Sequence, residues 1–114
     1  MNWGKVFYIF FTLMSLTTSV SFLYDHTIIA LFAAGSINFV STILKLGVRN
    51  LLSAELLAGS LVADLHLIPS LWLFHFGEGE NINLIIGLVM GAIIANVYTL
   101  IISIVESAKT KEDF

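Results

Sequence analysis

A chain of 114 residues with 58% hydrophobic and only 11% charged side chains has room for one small domain. It is too poor in charge to cover a water-facing surface, since soluble domains carry about 25% charged residues. Cysteine is absent and the net charge is −3, with no basic stripe interleaved with aromatics. That excludes disulfide frames, thiolate metal sites, redox motifs and nucleic acid as a partner, and leaves an integral membrane protein.

The first apolar run, residues 6–24, follows Lys5. Lys5, the run and Ser19-Val20-Ser21 have the outline of a signal peptide, but the run continues through Tyr24 and no Ala-x-Ala follows. The expectation is a retained helix rather than a cleaved leader. The second run, residues 27–46, is charged only at Lys45, the third spans 51–76, and the fourth spans 82–105. At 1.5 Å per residue each can cross a hydrocarbon core of ~30 Å. The links Asp25-His26, Gly47 to Asn50 and Gly77 to Asn81 are short, which forces neighbouring helices antiparallel. The predicted fold is all-α, a single transmembrane up-down four-helix bundle.

Orientation follows from the basic residues. Lys5, Lys45, Arg49, Lys109 and Lys111 lie at the start, at the second link and in the tail, whereas the first and third links carry Asp25, Glu78 and Glu80. The positive-inside rule places both termini in the cytoplasm. Trp3, Phe7 and Tyr8 are then expected at the inner interface, and Phe22, Tyr24, Trp72, Phe74 and Phe76 at the outer one.

Polar residues inside the spans need a reason, because a charge at mid-membrane costs ~2.5–3.5 kcal/mol on insertion scales. Counting along each helix puts Asp64 near the bilayer centre, at the depth of Asn38, Thr17 and Thr18, and puts Glu55 nearer the cytoplasm with Asn96 and Ser41. Glu55 and Asp64 are nine residues apart, about 180° around a helix, so they cannot serve one site. Ser53, Ser60 and Asp64 share one face; Glu55, Gly59, Val62 and His66 share the other. Pro69 lacks an N–H, so the Leu65 carbonyl loses its helical partner beside Asp64 and His66. Two readings follow. In one, Asp64 with Asn38 and His66, and Glu55 with Asn96, are candidate proton or cation sites, as at broken helices in transporters. In the other, Asp64, Asn38 and the threonines clamp helices together, Pro69 is a tolerated kink, and Glu55 pairs with Lys45 or Arg49.

Outside the spans, Asp25, His26, His75, Glu78 and Glu80 match no metal-ligand spacing, so neither metal nor cofactor is expected. No nucleophile elbow, metalloprotease helix or phosphate loop occurs, which argues against an enzyme. Gly87, Gly91 and Ala95 form a small-residue strip on the fourth helix, expected to face protein within the chain or at a dimer seam.

The size invites comparison with the small multidrug-resistance exporters, but those carry their acid in the first helix, and residues 6–24 contain none. The stretches MNWGKVFYIF, LKLGVRNLLSAELLAGSLVADLHLIP and Val105-Glu-Ser-Ala-Lys109 resemble, over the full length, a family of small uncharacterised membrane proteins of epsilonproteobacteria. The resemblance implies a bacterial inner membrane and brings no function with it. The expected function is association, as a homo-oligomer or as an accessory subunit of a membrane complex, with proton- or cation-coupled transport through Asp64 as the alternative.

Overall fold

The computed structural model describes residues 3–47, 53–77 and 82–110. They form four α-helices: α1 (Trp3–Asp25), α2 (Ile28–Leu46), α3 (Ser53–Phe76) and α4 (Ile82–Thr110). All four are long and apolar enough to cross a membrane.

Local chemistry sets the boundaries. The His26 N–H closes the last turn of α1 on the Phe22 carbonyl at 2.7 Å, and His26 itself takes a left-handed φ of 56°. Histidine is among the non-glycine residues that tolerate this region best. Thr27 then caps α2, its hydroxyl accepting from the Ala30 N–H at 3.3 Å. A two-residue link therefore suffices to reverse the chain. Helix α3 continues through Pro69 without a break.

Two helices run past their expected limits. α1 starts at Trp3 rather than Val6, and α4 continues to Thr110 rather than Val105. A pair of charges that lies outside the apolar runs joins the two extensions. Lys5 Nζ meets Glu106 Oε1 at 3.1 Å inside the bundle, and Lys5 also donates to the Ser107 hydroxyl.

The inward stripe of α1 is Lys5, Tyr8, Thr12, Ser15, Ser19 and Phe22, alternating in steps of three and four as helix seams do. Most of that stripe is polar, while large apolar residues such as Phe10, Phe32, Leu65 and Ile94 are exposed. The pattern inverts that of a soluble bundle and is the one expected where lipid rather than water covers the outside.

The interior divides in two. Near the α1–α2 and α3–α4 links it is mostly apolar, built from Phe22, Leu31, Ala34, Ala63, Leu67, Ile85, Val89, Ala92 and Ala95, with the buried hydroxyls of Ser19 and Ser70 among them. Toward the other end, where Trp3 and Thr110 lie, Thr12, Asn38, Thr42, Ser60, Asp64 and Asn96 are buried. Contacts fix the register: Thr12 meets Ser41 and Ser15 meets the Ala34 carbonyl; Asn38 meets Asp64 and Thr42 meets Ser60; Lys5 meets Glu106 and Ser15 meets Asn96. In each pair of helices, residue numbers rise on one side as they fall on the other.

Between α3 and α4 the close approach depends on glycine. A Cβ on Gly59 would run into the Thr99 hydroxyl and the Tyr98 ring, and one on Gly91 into the His66 ring.

Candidate functional site: a buried hydroxyl and ion network

Helical spacing assembles the site. Asn38 and Thr42 are one turn apart on α2, as are Ser60 and Asp64 on α3, so each pair presents two polar groups on one face. Asn38 Nδ2 donates to Asp64 Oδ1 at 2.6 Å, and Thr42 Oγ1 donates to Asp64 Oδ2 at 2.6 Å. Asn38 Nδ2 also reaches the Ser60 carbonyl at 3.4 Å. Both neighbours are acceptors, which fixes the amide orientation by chemistry.

Lys45, one residue from the end of α2, turns into the bundle and is only 5% exposed. Its Nζ donates to the hydroxyls of Ser41 at 2.8 Å, Thr12 at 2.9 Å and Ser60 at 3.3 Å. An ammonium has three protons, and each finds an acceptor. The same nitrogen lies 5.6 Å from the centre of the Tyr8 ring, within cation–π reach. Ser60 Oγ and Thr42 Oγ1 are 2.7 Å apart. Ammonium, two hydroxyls and carboxylate therefore form one continuous chain: Lys45, Ser60, Thr42, Asp64.

Four buried polar atoms have no hydrogen-bond partner among the described residues: Ser19 Oγ, Asn38 Oδ1, Asn96 Oδ1 and Glu106 Oε2.

The structure joins Asp64 to Asn38 and separates the other expected partners. Thr17 and Thr18 donate to the Met14 carbonyl of their own helix, at 3.0 and 2.8 Å, and Thr42 takes the place expected for them. Glu55 is exposed and forms no layer with Asn96, since its half-turn offset from Asp64 points it out of the bundle. Asn96 is fully buried and reaches Ser15 Oγ at 3.5 Å instead. His66 does not support Asp64: two residues on, it lies about 200° around the helix. Its Nδ1 lies 2.7 Å from the Val62 carbonyl, and its ring packs over Gly91. Pro69 is exposed.

The small-residue strip divides along its length. Ala95 is buried and Gly91 faces His66, but Gly87 has open space where a side chain would be. A four-residue repeat drifts by about 40° per step, so Gly87 has rotated off the seam. Val89, off the strip, is fully buried in the core instead. Tyr8 and Phe22, expected as interfacial aromatics, are also fully buried.

Of the outer acids and histidines, Glu78 and Glu80 lie outside the described residues, as does Arg49. Among the described residues no three His, Asp or Glu gather.

Sequence reasoning passed over Lys45, Thr42 and Ser60 as members of the Asp64 site, and Lys5 and Glu106 as a pair. The signal was present in the three- and four-residue steps linking Lys5, Tyr8, Thr12 and Ser15, and in the four-residue spacings 38–42, 41–45 and 60–64.

Residues 25–107 match the model of a family described as a family of unknown function (DUF6394). The chain belongs to this family. No curated protein and no solved structure matches it. The matched residues contain Asn38, Thr42, Lys45, Ser60, Asp64 and Glu106, whereas Lys5, Thr12 and Ser15 precede them.

Proposed function

We propose that this is a multi-pass protein of the bacterial inner membrane, an up-down bundle with both termini in the cytoplasm. It performs no enzymatic chemistry and acts by association, with a second copy or as an accessory subunit of a larger membrane complex. One observation carries this reading: the chain fills its own interior. Phe22, Leu31, Leu67, Ile85 and Val89 are fully buried in the apolar half, and the polar groups of the other half bond one another, apart from Asn38 Oδ1, Asn96 Oδ1 and Glu106 Oε2. Such a bundle leaves its outer surface as what it can offer. That surface includes an apolar groove of about 400 Å³ between α2 and α3, lined by Ile28, Phe32, Ile68, Leu71, Trp72 and Phe76 among others.

The chain has no cysteine, so single cysteines report cleanly. Ile68→Cys is expected to cross-link in native membranes, and Phe10→Cys, on another exposed face, is not. A chain that is monomeric by native mass spectrometry from mild detergent, with no co-purifying subunit, would end the association reading.

A second reading is proton or cation handling at Asp64. It is favoured by the burial of both a carboxylate and an ammonium within apolar spans, where neutral groups would clamp helices at lower cost. Flux into proteoliposomes, compared between the native chain and Asp64→Asn, tests it. Equal flux in both would remove it.

A further inference from the structure

We infer that Lys45, Ser60, Thr42 and Asp64 form a proton relay that loads the Asp64 carboxylate from the end of the bundle where both described termini lie. This deepens the second reading above and rests on Asp64 being a proton site.

The geometry meets the requirements of a relay at each step. The Lys45 ammonium donates to Ser60 Oγ at 3.3 Å, Ser60 Oγ lies 2.7 Å from Thr42 Oγ1, and Thr42 Oγ1 donates to Asp64 Oδ2 at 2.6 Å. All four side chains are buried, so bulk water does not short-circuit the path. Each hydroxyl can accept one proton while releasing its own, as a relay requires.

The step balances. Lys45 Nζ gives one proton to Ser60 Oγ, Ser60 gives its own to Thr42 Oγ1, and Thr42 gives its own to Asp64 Oδ2. One N–H and two O–H bonds break, and three O–H bonds form. The ammonium becomes an amine and the carboxylate a carboxylic acid, so the interior keeps its net charge. Lys45, one residue from the end of α2 and 5% exposed there, is the proposed point of entry: its amine regains a proton from a hydronium ion at that end, and the bundle has taken up one proton.

The surroundings support this direction. Lys45 is one residue from the end of α2, and no other cation reaches Asp64 among the described residues. From α1, Thr12 accepts from Lys45 and the Tyr8 ring lies against it. The charge from α4, Glu106, is paired with Lys5 of α1. Beyond Asp64 lies the apolar half, where Leu31, Leu67, Ile85 and Val89 are fully buried. The relay therefore ends at Asp64, making it a loading site rather than a channel.

The test is time-resolved infrared spectroscopy of the full chain in lipid bilayers after a pH jump. The Asp64 carboxylic-acid C=O band is assigned by its loss in Asp64→Asn. Thr42→Val and Lys45→Met are each expected to slow the appearance of that band at least tenfold. Thr42→Ser, which keeps the hydroxyl, is expected to retain the native rate; a purely structural role for Thr42 would not produce this pattern. If Thr42→Val fails to fold, Ser60→Ala breaks the same chain at its other hydroxyl. A native rate in Thr42→Val, in Ser60→Ala or in Lys45→Met overturns the relay while leaving Asp64 a proton site. A band that never changes with pH overturns both.

Discussion

At the scale of single residues, Asp64 shows how a buried carboxylate is held. Both of its oxygens are occupied from α2, by Asn38 and Thr42 at 2.6 Å each. Asp64→Asn keeps the shape, and its amide can accept from Asn38 and donate to Thr42 Oγ1. Its stability is expected within about 1 kcal/mol of the native chain. Asp64→Leu removes both acceptor atoms and leaves the Asn38 amide without its close partner, at an expected cost of about 1–3 kcal/mol. Unfolding in mixed detergent–SDS micelles separates the two. Equal stability of Asp64→Leu and the native chain would show that these hydrogen bonds contribute nothing net. The second buried carboxylate, Glu106, stands opposite Lys5 at 3.1 Å. Removing one member of a buried pair typically costs about 3 kcal/mol, because the other charge is left uncompensated. Lys5→Met is expected to destabilise by that order, and Lys5→Met with Glu106→Leu to recover most of it. A double variant no better than Lys5→Met alone would show that the two charges are uncoupled.

At the scale of the elements, α3 and α4 pack through reciprocal glycine contacts. Gly91 seats the His66 ring, and Gly59 seats Thr99 and Tyr98. The strip on α4 therefore serves a seam within the chain at Gly91 and turns away from it at Gly87. Gly91→Leu must displace the His66 ring, and overpacking of this kind costs about 1–3 kcal/mol. Thermal unfolding is expected to fall accordingly, with the oligomeric state unchanged. Gly87→Leu meets open space and is expected to leave the melting temperature in place. The reverse ranking of these two variants would mean that α4 is rotated relative to the arrangement described here.

At the scale of the whole molecule, the interior is polarised along its length, mostly apolar near the α1–α2 and α3–α4 links and rich in polar groups toward the other end. Lys5 and Lys45 belong to the polar end, and the same end is where the positive-inside rule places the cytoplasm. The proposed insertion is testable with single cysteines. Asp25→Cys is expected to react with an impermeant thiol reagent added to intact cells, and Thr110→Cys only after lysis. Labelling of Thr110→Cys from outside would invert the bundle and with it the side from which Lys45 is reached.

The sequence by itself determined the class and the elements. Long apolar runs separated by short links allow little except four membrane-length helices, because an unpaired backbone cannot sit in lipid. It also supplied the Asp64–Asn38 match, since two polar groups at equal depth on neighbouring helices have few alternatives to each other. It did not supply rotation. Depth along a helix is read by counting, but the face that points inward depends on which neighbour the helix meets. With lipid outside, apolar residues mark the outer surface as well as part of the core, so periodicity of hydrophobicity is weak on α1 and α3. Thr17, Thr18 and His66 lay at suitable depths yet on the wrong faces. Thr42, Ser60 and Lys45 lay on the right ones. Lys45 in particular reads as a charge at a helix end that reaches for the interface. Only the packing of α1, α2 and α3 around it supplied three hydroxyl acceptors, and those turn an expensive interior cation into a satisfied one.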